Sequence, residues 1–167
     1  MFRDMRRKKQ LLPPEESLLI LENGTSGVLA VAGDDGYPYT VPLSYVYHDS
    51  KIYFHAAKSG HKIDAVRNCS KASFCVIGQD QIVPEKYTSL YRSVVAFGKI
   101  RILEDDAEKR DAIEKLAVRY NPDADASEID EAIRKDWEPL CMLEFTIEHM
   151  TGKEGSELAA ARRKGAI

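Results

Sequence analysis

The chain has 167 residues, 24 Lys and Arg against 27 Asp and Glu, and a formal net charge of −3. That length fits one domain, residues 1–167, which would bury about two thirds of its unfolded surface, and the mixed charge argues against general attraction to nucleic acid. No apolar run approaches the roughly 20 residues of a membrane span and the N-terminus lacks the apolar core of a secretion signal, so a cytoplasmic protein is expected.

Arg3, Arg6, Arg7, Lys8 and Lys9 make the N-terminal stretch, residues 1–12, basic. Such a run is most simply a solvated tail or a dimer contact, with nucleic acid or membrane binding as the lesser alternative. Pro13-Pro14-Glu15-Glu16 then opens a helix carrying Leu18, Leu19 and Leu21, which Asn23-Gly24 ends. Gly27 to Ala32 reads as a short apolar strand, and Gly33-Asp34-Asp35-Gly36 as a turn.

From Tyr37 to His48, bulky Tyr37, Tyr39, Val41, Leu43, Tyr45 and Tyr47 alternate with Pro38, Thr40, Pro42, Ser44, Val46 and His48. This is strand periodicity with one bulky and one small or polar face. Pro38 and Pro42 place their missing N–H groups on one edge, so that edge is expected to be open or split, with Leu43 and Ser44 main-chain groups free beside it. A turn at His48-Asp49-Ser50-Lys51, without the usual Asn-Gly or Asp-Gly, leads into a second strand of an antiparallel hairpin, Ile52 to Ala57. Lys58-Ser59-Gly60-His61-Lys62 follows at the mouth of a short helix. Ser59 and Gly60 beside three cationic residues suit a phosphate, and equally suit a plain Ser59 helix cap with solvated lysines.

Ala72 to Ile77 reads as a buried strand and residues 78–90 as a polar loop long enough for a lid or an interface element. Ser93 to Leu103 is the longest strand pattern, and Gly98 within it suggests a bulge or a close backbone approach. Asp105 and Glu108 form a capping pair for a helix with Ala112, Ile113, Leu116, Ala117 and Tyr120 on one face, which Asn121-Pro122 stops. A short helix from Ser127 to about Arg134 and a closing strand from Leu140 to His149 complete the pattern. The tail, residues 154–167, is rich in Ala and Arg and is helix-prone or frayed. Cys69, Cys75 and Cys141 are odd in number and lack a CxxC, so neither a disulfide framework nor a metal site is suggested, and Cys75 and Cys141 are expected in the core. Six strands in mostly antiparallel neighbourhood, with peripheral helices, describe an α+β, mainly β, domain built on a small antiparallel barrel.

The run GDDGYPYTVPLSYVYHDSKIYFHAAKSGHK (33–62), followed by VPEKYTS (83–89), YRSVVAFGKIRIL (91–103) and EHMTGK (148–153), resembles the nitroimidazole-resistance (Nim) family among pyridoxamine-phosphate oxidase-like, FMN-binding split barrels. The resemblance implies a six-stranded split-barrel homodimer with FMN at the subunit interface. It implies that Val41, Pro42, Leu43 and Ser44 line the isoalloxazine ring, that Phe54 and His55 add contacts from the next strand, and that Ser59, His61 and Lys62 hold the phosphate. It also matches Ser93 to a polar flavin contact with Arg92 nearby, and places His149 in the closing motif, either at the cofactor or capping a strand end. The basic residues that oxidases carry at the positions of Tyr39 and Ser44 are missing here, as is their C-terminal Trp and Arg pattern, Trp137 lying before the last strand instead. Vitamin B6 oxidation is therefore disfavoured.

The leading expectation is an FMN-dependent reductase passing electrons from NADH or NADPH to a small nitroaromatic or similar acceptor, with His55 orienting the acceptor or supplying a proton as the catalytic residue. A flavin or haem carrier of the same fold, with His55, His61 or His149 as an axial ligand, is the alternative. A nucleic-acid-binding barrel is disfavoured, because five of the eight tyrosines stand in strand alternation between Tyr37 and Tyr53, where core or flavin packing accounts for them.

Overall fold

A computed structural model describes residues 1–165 of the chain. Seven strands, β1 (Ser26–Ala32), β2 (Pro38–Ser44), β3 (Val46–His48), β4 (Lys51–Ala57), β5 (Lys71–Val83), β6 (Thr88–Ile102) and β7 (Leu140–Glu154), form one antiparallel sheet in the order β2-β1-β5-β6-β7-β4-β3. Among the described residues five α-helices surround it: α1 (Pro14–Asn23), α2 (His61–Asn68), α3 (Asp106–Tyr120), α4 (Ala126–Asp136) and α5 (Ser156–Arg163). The fold is mainly β, and among the described residues the sheet is not closed by hydrogen bonds.

The single strand expected from Tyr37 to His48 is two, which raises the expected six strands to seven. Tyr45 interrupts it, because its ring is fully buried and its hydroxyl donates to the Leu21 carbonyl of α1 at 2.7 Å. The residues before the break pair with β1 and those after it with β4, so consecutive segments form opposite edges of the sheet. The sheet curls until Leu29 and Val31 of β1, Phe74 and Val76 of β5, Val94 and Ala96 of β6 and Ile52 and Phe54 of β4 share one core with Leu21 of α1 and Ile63 of α2. A second, smaller cluster joins Tyr53 and Met142 to Ala112 and Leu116, seating α3 against the outside of β4 and β7.

The β2 alternation appears as Tyr39, Val41 and Leu43 turned inward and Pro38, Thr40, Pro42 and Ser44 exposed. The turn after β3 places Asp49 and Ser50 at φ 49° and 62°, and register pairs His48 with Lys51. Two positive φ values in a two-residue loop are what a type I′ hairpin turn needs, so the hairpin forms without a glycine. At Gly98 both sequence readings hold: the ladder is bulged between Phe97 and Gly98, and a Cβ on Gly98 would run into the Thr146 carbonyl oxygen. Asp105 caps α3 by accepting from the N–H groups of Ala107 and Glu108.

Three other expectations change. Residues 78–90 are not a loop but the end of a long hairpin, with Gln79 to Val83 paired to Arg92 to Thr88 around a short 3-10 turn at Pro84–Lys86. A ribbon exposed on both faces carries no hydrophobic alternation, which is why its sequence reads as loop. Cys75 faces outward and is half-buried, since Phe74 and Val76 occupy the inward positions on either side. The basic stretch is not a solvated tail: its residues 8–12 dock beside α5, the helical alternative expected of the C-terminal tail, whose residues 166–167 lie outside the described ones. Leu12 is buried and its N–H donates to the Gly152 carbonyl at 3.0 Å, while Arg162 Nε donates to the fully buried Glu154 at 2.7 Å. Among the described residues no helix is long and apolar enough to cross a membrane.

Candidate functional site

The register assigns main-chain directions on β2. Gly33 N–H donates to the Tyr37 carbonyl at 2.9 Å, and the pairing continues as Val31 with Tyr39, Leu29 with Val41 and Gly27 with Leu43. Main-chain groups alternate direction along a strand. Those of Tyr39, Val41 and Leu43 therefore point at β1, and those of Pro38, Thr40, Pro42 and Ser44 point to the open edge. Both prolines sit on that edge, as their sequence spacing requires, and Leu43 is not among the free groups.

A second unpaired edge lies opposite. β3 covers β4 only as far as Tyr53, leaving the edge of Phe54 to Ala57 open, and β2 and β4 come within contact distance of each other. The result is a groove whose two rims are main-chain edges. His55 is exposed on the outer side of β4, the same side of the sheet as Thr40, Pro42 and Ser44 on β2. Phe54 is withdrawn: it is fully buried and packs edge-on against Phe74 at 5.1 Å, so its side chain does not reach the groove.

α2 begins at the end of this groove. Its N-cap is Gly60 rather than Ser59, with φ +120°, no side-chain cap and no atom within 4 Å of where a Cβ would stand. Ser59 is exposed. No side chain blocks the His61 and Lys62 N–H groups at the positive end of the helix dipole, while the Ile63 N–H donates to the Gly60 carbonyl at 2.9 Å. His61 stacks on Tyr39 of β2, centroids 4.0 Å apart, and its Nε2 lies 3.6 Å from Asp34 Oδ2. Lys62 is half-buried, and burial pushes its ammonium below the ordinary lysine range, with nearby Cys141 opposing. A partly desolvated cation of this kind favours an anionic partner.

Arg92, Ser93 and His149 lie elsewhere in the same chain. Ser44, Ser26 and Ile77 stand on successive strands before Ser93, and β6 is three strand spacings from β2, about 14 Å. Arg92 lines a separate cleft of about 410 Å³ with Leu19, Ile20, Gly24, Ser26 and Ile77, its Nε buried and without a hydrogen-bond partner, 3.6 Å from Glu154 Oε2. His149 pairs with Phe97 across β6 and β7 and stacks on Phe2, centroids 4.8 Å apart and nearly parallel. Trp137 is engaged under the Lys109 ammonium, 3.9 Å from its ring centroid.

One chain therefore gathers Pro42, Ser44, His55, Ser59, His61 and Lys62 around the groove, with Val41 and Leu43 beneath it; it leaves Ser93 and His149 on the outer face of the sheet and Arg92 on the opposite face, against α1 and Glu154. Sequence reasoning missed Asp34 and the stacking role of Tyr39. The Gly33 to Gly36 segment carried only a turn signal, and nothing local ties it to a helix that starts 25 residues later.

The comparisons with known proteins fall on this fold. No curated protein sequence matches the chain significantly. A FAD-binding protein from Mesorhizobium loti is 26% identical over 88% of this chain and 98% of its own, with a TM-score of 0.60. A candidate 5-nitroimidazole antibiotic resistance protein from Bacteroides thetaiotaomicron is 22% identical, covering 86% of each chain, with a TM-score of 0.71. A protein from Mycobacterium smegmatis that binds FAD and haem is 17% identical over 92% of this chain and 80% of its own, with a TM-score of 0.68. A family model for pyridoxamine 5′-phosphate oxidase matches residues 13–154, and the chain belongs to that family.

Proposed function

We propose that this chain is an FMN-dependent reductase acting on a small nitroaromatic or similar acceptor. One observation carries the reading: two unpaired main-chain edges, β2 and β4, converge on an uncrowded helix N-terminus flanked by His61 and a half-buried Lys62.

The residues fit a flavin mononucleotide. The phosphate would be held by Lys62, His61 and the first N–H groups of α2, where the bare Gly60 lets an oxygen approach the backbone. Thr40, the Pro42 carbonyl and Ser44 supply unpaired main-chain groups for the polar edge of a ring, while Pro38 and Pro42 keep another strand from pairing there. When bound, FMN supplies the redox chemistry between a reduced nicotinamide and the acceptor. His55, exposed on the groove side of β4, is the group placed to orient the acceptor and hold or release a proton.

The outlying Ser93 and His149 support a homodimer reading, in which a second copy brings them to the groove, while Arg92 stays on the α1 side of the sheet beside Glu154. The outer face of β1, β5 and β6 carries Val28, Cys75 and Phe97 with little charge, and a partner would cover that face. A curled sheet whose edges do not bond is, in this reading, the split barrel of the family.

The test is an absorbance spectrum of the purified protein, with FMN titrated into any colourless fraction. The reading expects flavin bands, FMN released on heating, and Lys62→Ala loosening FMN by about tenfold, the scale of one charged phosphate contact. Failure of the wild type to take up FMN would sink it. Uptake of FMN with no oxidation of either nicotinamide in the presence of nitro acceptors would leave a carrier and end the reductase reading. A haem carrier is the second reading, favoured by the haem named for the Mycobacterium smegmatis neighbour. His149 would have to leave its Phe2 stack to ligate iron, and a Soret band would bring that reading forward.

A further inference from the structure

We propose that the cleft between the N-terminal segment and α5 binds the adenosine bisphosphate half of NADPH, making NADPH rather than NADH the electron donor. This deepens the reductase reading and rests on it. Arg6, Arg7, Lys8, Lys9 and Arg163 line a cleft of about 570 Å³, whose remaining wall is Gln10, Ser156 and Ala159. Among the described residues the only carboxylate within 4 Å of any of these five cations is Asp4, 3.6 Å from Lys8. Five cations folded together with so little compensation call for a polyanion.

The cleft is built rather than frayed. Arg163 Nη1 donates to the Lys9 carbonyl at 2.9 Å, and Arg162 Nη2 to the Leu11 carbonyl at 3.0 Å, so α5 grips the N-terminal segment from its last turn. Ser156, Ala159 and Arg163 stand on one face of α5, which puts the uncapped start of that helix at the cleft wall. A helix of this length adds N–H donors and a positive dipole end to the cations.

Gln10 narrows the ligand class. It is 6% exposed, lines the cleft, and its Oε1 has no hydrogen-bond partner. A phosphate ionised at neutral pH has little to donate to an orphan acceptor, so the ligand that satisfies both Gln10 and the cations carries an N–H or O–H donor beside its charges. Nucleotide amino and hydroxyl groups do this. Lys8 also lines an adjoining apolar slot of about 370 Å³ with Met5, Leu11, Leu12, His149 and Met150, where the nicotinamide half would lie beside His149. NADH shares everything with NADPH except the 2′-phosphate, and it is the extra phosphate that a five-cation cleft selects.

The experiment is calorimetric titration of the full chain, with and without FMN, using 2′,5′-ADP and 5′-AMP as probes. The expected result is 2′,5′-ADP binding about tenfold or more tighter than 5′-AMP. Arg7→Ala and Arg163→Ala should each remove most of that preference, while Lys135→Ala on α4 leaves it intact. Gln10→Met should keep or raise the melting temperature, since it deletes an unsatisfied buried acceptor, and should still weaken 2′,5′-ADP. Equal affinity for the two nucleotides overturns the proposal, as does displacement of 2′,5′-ADP by duplex DNA or anionic vesicles at lower concentrations than by NADPH. Preference for 2′,5′-ADP in a protein that refuses FMN would support the nucleotide site and condemn only the flavin groove.

Discussion

His61 lies over Tyr39, ring centroids 4.0 Å apart and planes inclined by 23°, so the first residue of α2 is clamped to the edge strand β2. Asp34 approaches the same imidazole from the turn before β2, at 3.6 Å. The stack orients a ring that the sequence marks only as a cation, and the acid competes with any phosphate arriving there. Tyr39→Leu, which keeps an apolar body on the inner face, is expected to weaken FMN by about threefold to tenfold, the scale of one aromatic contact. Asp34→Asn should tighten FMN by no more than about fivefold at low salt, with the gain shrinking as salt screens this exposed pair. Flavin fluorescence quenching on titration reads both. Unchanged affinity in both variants would detach His61 from the phosphate.

Glu144 gives the fold a defined acid limit. Burial pushes its carboxyl up, but hydrogen bonds from Arg101 Nε at 2.8 Å and Lys51 Nζ at 2.9 Å outweigh that, and the group ends below its ordinary value of 4.5. A depressed folded pKa contributes stability that is fully present above 4.5 and is lost as pH falls through the lower folded value. Denaturant midpoints should therefore be less sensitive to pH between 7 and 5 than below 4.5, where this contribution is withdrawn. Glu144→Gln should flatten part of that acid limb and cost about 2 kcal/mol at neutral pH. That is less than a fully buried pair, because Lys51 and Arg101 keep 38% and 47% of their side-chain exposure.

The β3–β4 turn holds Ser50 at φ 62° without a glycine. Ser50→Gly should raise stability by about 0.5 kcal/mol, the left-handed strain relieved less the entropy that glycine adds to the unfolded chain. The Ser50 N–H bond to the Tyr47 hydroxyl survives the change. A melting temperature higher by about 1–2 °C is the expected reading. A lower one would mean the serine hydroxyl contributes more than its backbone costs.

Gly98 has the opposite character. A methyl there meets the Thr146 carbonyl oxygen of the neighbouring strand, beside the β6–β7 bulge, and backbone gives way poorly. Gly98→Ala should cost about 3 kcal/mol or more, at the upper end for overpacking. Equilibrium unfolding in urea measures it, and a loss under 1 kcal/mol would show that the bulge relaxes.

Local chemistry determined much of this protein. Alternation marked the inner face of β2, the spacing of Pro38 and Pro42 marked its open edge, Gly98 marked the bulge, and Asp105 marked the start of α3. These signals are legible because each depends on a residue and its near neighbours: period, a missing N–H, a missing Cβ, a carboxylate two or three positions before an amide. Tertiary structure decided the rest. Tyr45 ends β2 because a carbonyl 24 residues away on α1 takes its hydroxyl. The hairpin arm of β5 and β6 forms through main-chain pairing that its polar side chains do not announce. Asp34 reaches His61 only because the sheet curls until β2 and β4 meet, and Arg162 reaches Leu11 only because the N-terminal segment returns to bridge β7 at Lys153. The division of the expected site into a groove set and residues remote from it has the same cause: strand order decides which strands lie near one another, and order is fixed by long-range pairing that periodicity does not encode.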